Sequence, residues 1–254
     1  MNLKNKLKTN STTFGSWITI GHQSIVEILA TAGFDWLVVD MEHGAISIEK
    51  VQELILAIQS KQISALVRVG ANDDLLIKQV LDAGADGVII PMVNSGMEAD
   101  KAVKAVKYQP FGKRGVGLAR AQNYGIGFDA YRRWLENDCV IIVQVEHKNS
   151  VKNIKDIISV DGIDGLIIGP YDLSASYGIP GEFDNPKIVN AISEVERVCK
   201  NARFPFGYHV IKPNYLEVQE KVDIGYSFIA FSIDFFFLGE KAREEMGKLK
   251  NDSQ

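Results

Sequence analysis

Eight short apolar runs recur along the chain: "GSWITI" (15–20), "FDWLVVD" (34–40), "SALVRV" (64–69), "GVIIPMV" (87–93), "VIIVQVE" (140–146), "GLIIGP" (165–170), "FPFGYHV" (204–210) and "SFIAFSID" (227–234). Each is four to eight residues long and continuous rather than alternating. That is the pattern of parallel strands buried on both faces. Amphipathic segments lie between them. Residues 48–61 place Val51, Leu54, Ile55 and Ile58 on one stripe, and residues 73–84 open on an Asp pair and stop at Gly84. Segments 148–160 and 186–202 follow the same plan, the latter with Pro186 near its start. Strand and helix alternating eight times predicts an α/β fold, a single (β/α)8 TIM barrel domain over residues 1–254. A doubly wound open sheet is the competing architecture. It would carry a glycine-rich phosphate loop after the first strand, and "TIGHQS" is not one.

Composition narrows the function classes. The 254 residues are 46% hydrophobic and 24% charged with a net charge of -4. The absence of a basic stripe argues against nucleic acid. No apolar run approaches the roughly 18 residues of a membrane span, and residues 1–15 lack the apolar segment of a signal peptide. Two cysteines, Cys139 and Cys199, make neither a disulfide framework nor a zinc site. These readings together place the protein in the cytoplasm.

In such a barrel the chemistry sits at the C-terminal ends of the strands. The polar residues there are His22, Glu42, His43, Arg68, Gln144, Glu146, Asp172 and His209. Gln144 and Glu146 are two apart and so share a face; if Val140 and Ile142 fill the barrel, both point into its mouth. Arg68 lies on a buried strand, where a guanidinium calls for an anion. Glu146 and Asp172 on neighbouring strands, with Gln144 beside them, suit a hard divalent cation completed by water and substrate oxygens. A Glu146–Arg68 ion pair is the alternative. His43 has the intrinsic pKa for proton transfer near neutrality, and Asp82 is a candidate to orient it. Asp40 is read as positioning the loop, and His147 as structural. No strand contains a lysine, which disfavours Schiff-base chemistry. The loops after the seventh and eighth strands lack the features of a phosphate site, and Asp234 there would repel one.

The stretches "AGFDWLVVDMEH", "LVRVGANDDLLIKQVLDAGADGVIIPMV", "GKRGVG", "VQVEHKNSVKN" and "DGIDGLIIGPYDLSASYG" together resemble the HpcH/HpaI aldolase family, over about residues 14 to 240. These are metal-dependent class II pyruvate aldolases of the phosphoenolpyruvate/pyruvate barrel superfamily, and the 2,4-dihydroxyhept-2-ene-1,7-dioate and 2-dehydro-3-deoxyglucarate aldolases are the nearest in pattern. The resemblance implies reversible cleavage of a 4-hydroxy-2-oxo acid to pyruvate and an aldehyde. It implies Glu146 and Asp172 as ligands of Mg2+, Mn2+ or Co2+, Arg68 on the enolate oxygen with Gln144 nearby, and His43 supported by Asp82 as the proton-transfer group. It places Pro170, Tyr171 and Asp172 around the pyruvate carboxylate, and His209 and Val210 on the aldehyde side. It further implies a hexamer, a trimer of dimers that exchange C-terminal helices. The remaining alternatives are a CoA-ester lyase of the citrate lyase beta-subunit type and a non-catalytic barrel that binds a 2-oxo acid.

Overall fold

The computed structural model describes residues 2–251. Eight parallel strands close into a barrel in sequence order, β1 (Thr13–Ile18), β2 (Trp36–Asp40), β3 (Ser64–Arg68), β4 (Gly87–Ile90), β5 (Val140–Val145), β6 (Gly165–Ile168), β7 (Phe206–Val210) and β8 (Phe228–Ile233). Every expected strand is present. β1 starts and ends two residues earlier than the apolar run, because Thr13 pairs with Phe228 while the amides of Thr19 and Ile20 bond the Asp234 carboxylate instead of a ladder.

Alternation along the strands divides the core into two layers. Trp17, Trp36, Val38, Leu66, Ile89, Val140, Ile142, Ile167, Phe228 and Ala230 fill the barrel. Their neighbours, such as Leu37, Val39, Val67, Ile141, Val143 and Ile168, face the helices. Both layers are apolar, which is why the strands read as unbroken hydrophobic runs. Inside, Trp36 stacks on Phe228 with ring centroids 4.1 Å apart. The indole is accommodated because its neighbour across the pleat is Gly15, where a Cβ would sit inside the Trp36 ring. Gly15→Ala is therefore expected to destabilise the barrel by about 3 kcal/mol through overpacking. For a chain of this size that lowers Tm by roughly 6–12 °C in a thermal melt; an unchanged Tm would mean the barrel interior is not close-packed at this level.

Twelve α-helices are described, among them α1 (Leu3–Lys8), α2 (Gln23–Ala30), α5 (Gly96–Val106), α6 (Phe128–Asn137) and α11 (Tyr215–Ile224), and those the sequence predicts follow the expected plan with one difference. α3 (Ile48–Ser60), α4 (Asp74–Asp82) and α10 (Pro186–Ala202) match the amphipathic segments, capped by Ser47, Asp73 and Asn185 side chains. Segment 148–160 is two helices, α7 (Lys148–Lys152) and α8 (Ile154–Ile158). It breaks at Asn153, whose amide side chain reaches the Asn94 carbonyl at 2.8 Å. After β6, Gly169 is the N-cap of α9 (Pro170–Ser176). The last described element is α12 (Asp234–Asn251), which packs on β8 and β1.

The six-residue helix α1 (Leu3–Lys8) had no counterpart in the hydrophobic pattern. It stoppers the barrel at the N-terminal ends of the strands, with Leu3 and Leu7 inserted among the interior side chains. Lys4 bonds the Cys139 carbonyl at 2.7 Å and Asp164 at 2.9 Å, and Lys6 pairs with Asp35 at 2.6 Å. The opposite mouth, at the C-terminal ends of the strands, stays open.

Candidate active site

At that open mouth lies a cleft of about 500 Å³ lined by Asp40, His43, Arg68, Gln144, Gly169, Pro170, Tyr171, Asp172 and His209 among others. Interior alternation brings the first of these together. Trp36, Val38 and Asp40 point inward along β2, and Leu66 and Arg68 along β3. The register sets Asp40 directly beside Arg68. Asp40 has no solvent exposure, and its two oxygens accept from Arg68 Nε at 2.8 Å and Nη2 at 2.6 Å. Glu42 Oε2 lies 3.3 Å from Arg68 Nη1. The guanidinium also sits 4.3 Å over the Trp17 ring, whose other neighbour is the His209 imidazole with centroids 5.4 Å apart. The anion that Arg68 calls for is thus supplied by Asp40, not by Glu146.

Past Ile142, β5 carries Gln144 and then Glu146 into the mouth, both nearly fully buried. Glu146 accepts from the Met92 backbone N–H and from Gln144 Nε2, each at 2.6 Å. Met92 adopts a left-handed backbone conformation with φ 53° to present that N–H. Gly169 is required here, because a Cβ would press on Glu146 Oε2 and Gln144 Nε2. Burial raises the Glu146 pKa to about 7; the Met92 amide opposes this, and the negative charges of Glu42 and Asp172 add to it. Burial likewise pushes Glu42 above the ordinary carboxylate range, with Arg68 and His43 opposing and Asp40 and Asp172 reinforcing. Asp172, in the first turn of α9, is solvent-exposed. His43 is also exposed, and its Nε2 is 3.9 Å from Glu42 Oε2. The His43 and Glu42 amides face Asp40 Oδ1 at 3.4 and 3.0 Å, so a single carboxylate fixes both the arginine and the loop that carries the imidazole.

Comparison with known proteins bears on what this cleft does. Residues 13–238 match the family model described as HpcH/HpaI aldolase/citrate lyase. The chain belongs to that family. It is 33% identical over 249 residues to a hydroxypyruvate/pyruvate aldolase of Roseobacter denitrificans, covering 97% of this chain and 96% of the relative. It is 36% identical over 245 residues to a 2-dehydro-3,6-dideoxy-6-sulfogluconate aldolase of Pseudomonas putida, covering 96% and 95%. Among solved structures, an HpcH/HpaI aldolase/citrate lyase family protein from Burkholderia cenocepacia superposes with a TM-score of 0.92 at 30% identity, covering 98% of both chains. The protein is an enzyme of the aldolase type.

Within this aldolase-family barrel, most of the residues expected at the site converge on the cleft: His43, Arg68, Gln144, Pro170, Tyr171, Asp172 and His209, with Glu146 directly behind Gln144. Two do not. Val210 follows His209 and so faces the other way, fully buried against the helical layer. Asp82 is the last residue of α4, which runs back toward the N-terminal ends of the strands. It bonds Arg114 Nη2 at 2.5 Å at the far end of the barrel. Within the chain it is not a neighbour of His43. Sequence reasoning understated Asp40, although the same period of two that flagged Gln144 and Glu146 runs through Trp36, Val38 and Asp40. It also passed over Ile211, Ile233, Phe235 and Phe236, which line the cleft and look like ordinary core residues in the sequence. His147 and His22 prove to be helix N-caps, accepting from the Asn149 and Ser24 amides. Asp234 ties Thr19, Ile20 and Phe235 together.

The residues suit a hard divalent cation. Asp40, Glu42, Glu146 and Asp172 set four carboxylates against the single guanidinium of Arg68, and Asp40 consumes most of that charge. Gln144 Oε1 and Glu42 Oε2 are buried without a hydrogen-bond partner. Among the described residues no three His, Cys, Asp or Glu side chains are gathered closely enough to hold an ion by themselves. Oxygen donors from two carboxylates, with the remaining positions left to water and substrate, fit Mg2+ or Mn2+ rather than a dedicated structural metal.

Proposed function

We propose that the protein is a divalent-cation-dependent pyruvate aldolase that reversibly cleaves a 4-hydroxy-2-oxo acid. The C3–C4 bond breaks, its electron pair passes to C3 to form the pyruvate enolate, and the 4-hydroxyl loses its proton as the aldehyde carbonyl forms; a proton then adds at C3. The observation that carries this reading is the gathering of Arg68, Gln144, Glu146, Asp172 and His43 at one barrel mouth in a chain of this family. Glu146 and Asp172 would hold the cation, of Mg2+, Mn2+ or Co2+ type. When bound, it supplies the Lewis acidity that lowers the energy of a pyruvate enolate. Arg68, held rigid by Asp40 and Trp17, is a preorganised positive group for the developing enolate charge. His43 stands at the solvent edge, where it can take the 4-hydroxyl proton and return it in the condensation direction. The Tyr171 and Asp172 amides in the first turn of α9 have no acceptor within the helix and suit the pyruvate carboxylate. No lysine lines the cleft, in keeping with an enolate rather than a Schiff-base route.

The test is exchange of the pyruvate methyl protons with D2O, followed by NMR with Mg2+ or Mn2+ present, alongside product formation with a panel of aldehydes. Exchange and 4-hydroxy-2-oxo acid product are expected. Absence of both with every cation would overturn the reading. Reaction with acyl-CoA esters instead would favour a CoA-ester lyase.

A homo-oligomer is part of the same proposal, a hexamer built as a trimer of dimers that exchange C-terminal helices. Leu238 and Met246 on α12 are exposed, as are Phe111, Leu118, Tyr124 and Ile126 on the excursion before β5. Light scattering on the purified protein distinguishes monomer from hexamer. A cytoplasmic location accords with two buried free cysteines, and no helix among the described residues is long and apolar enough to cross a membrane.

A further inference from the structure

The cleft is chemically two-sided. Arg68, Gln144 and Asp172 give it a polar lining, and Ala45, Tyr171, Ile211, Ile233, Phe235 and Phe236 an apolar one. If pyruvate takes the polar residues, its partner aldehyde meets the apolar wall. That wall is well supported: the Tyr171 ring abuts Phe183 edge-on at 4.8 Å, and Phe235 lies 5.0 Å from Phe236. Phe235 and Tyr171 nonetheless remain 46% and 52% exposed, leaving aromatic surface for an occupant to cover.

The charges on offer to an anionic aldehyde are unfavourable. The one arginine lining the cleft is already engaged by Asp40 on two hydrogen bonds and approached by Glu42, and no lysine lines it. His209 also lines the cleft. Burial holds its pKa down at about 4, with the Ser232 carbonyl opposing and Arg68 adding to the effect, so the imidazole is neutral at physiological pH. Asp40 and Asp172 both line the same space, and Glu42 adjoins it. A carboxylate, sulfonate or phosphate on the aldehyde would gain no counter-charge there and would be repelled. Apolar groups on the aldehyde would instead cover exposed aromatic and branched side chains.

We propose that the aldehyde subsite of this enzyme selects uncharged aldehydes with an aliphatic or aromatic tail, with Ile211, Ile233, Phe235 and Tyr171 as the specificity-determining contacts. The proposal rests on the pyruvate aldolase reading. It sets this chain apart from its Pseudomonas putida relative, whose named substrate carries a sulfonate.

The experiment compares kcat/KM for condensation of pyruvate with hexanal, benzaldehyde, glycolaldehyde, succinic semialdehyde and glyceraldehyde 3-phosphate, with pyruvate proton exchange in D2O measured separately without any aldehyde. Hexanal and benzaldehyde are expected to exceed the two anionic aldehydes at least about tenfold, and lengthening the aliphatic tail to raise kcat/KM roughly twofold to fourfold per methylene. Phe235→Arg, at a half-exposed position, is expected to shift the hexanal to succinic semialdehyde ratio about tenfold toward the acid. A preference for glycolaldehyde or either anion, or a ratio that Phe235→Arg does not move, overturns the proposal. If proton exchange persists in that case, the aldolase reading stands without it. If neither exchange nor any product is found, both fall.

Discussion

Glu146→Gln is expected to slow pyruvate turnover by about 10²–10⁴-fold while leaving the barrel folded, because Lewis-acid stabilisation of an enolate contributes several kcal/mol. Stripping the wild type with EDTA should produce the same loss, reversed by Mg2+, Mn2+ or Co2+; the variant should not be rescued by cation at those concentrations. The neutral amide keeps an acceptor for the Met92 N–H, and the unpartnered Gln144 Oε1 can receive its new donor. The substitution is thus close to isosteric. Full activity in EDTA, or in the variant, would remove the cation from the mechanism.

The same substitution carries a stability signature whose sign follows from the raised pKa. In cation-free protein the Glu146 carboxyl titrates near 7 against an ordinary value of 4.5. The folded state then binds more protons than the unfolded state between those limits. Its contribution is fully present below about pH 4.5 and is lost as pH rises through 7, an effect on the order of 3 kcal/mol. In EDTA, Glu146→Gln should therefore melt above the wild type at pH 8 and close to it at pH 4. Added Mn2+ should raise the wild-type Tm at pH 8 and have little effect on the variant. A wild type that is no less stable at pH 8 than the variant would show that the buried carboxylate carries no such penalty.

Asp40→Ala is the second large effect. It leaves the Arg68 guanidinium buried with only Glu42 and the Trp17 face for company. Removing one partner of a buried ion pair costs about 3–5 kcal/mol. It also frees the Glu42 and His43 amides, so both the positive group and the loop bearing the imidazole lose their anchor. A Tm lower by roughly 6–20 °C and a fall in kcat of at least about 10²-fold are expected, with Asp40→Asn milder in both. A double-mutant cycle with Arg68→Met should return a large coupling. Additive effects would show that the clamp seen here is energetically idle.

Much of this was readable from the chain. The eight strands announce themselves because a doubly covered sheet needs apolar residues on both faces, and Gln144 with Glu146 stand out because a period of two aims them at the barrel axis. What escaped depends on register between strands far apart in sequence. That Asp40 and not Glu146 meets Arg68 follows from the β2–β3 alignment, which no local pattern reports. Asp82 is placed by the path of its helix in the same way. It is the last residue of α4, which returns to the far side of the barrel, so within one chain it lies away from His43. Helix α1 escaped because six residues with two leucines make no periodic signal, even though those leucines complete the core.

That small stopper has a consequence for how the molecule is made. Leu3 and Leu7 lodge among side chains contributed by strands as late as β8, and Lys4 anchors to Cys139 and Asp164, 135 and 160 residues further along. Helix α1 therefore precedes in sequence most of the residues it packs against, and it is among the last elements to find its place. Until β8 emerges to pair with β1, the barrel has two unsatisfied edges and an open base. Closure is a late, long-range step. The barrel's exposure to misassembly lasts until that closure is made.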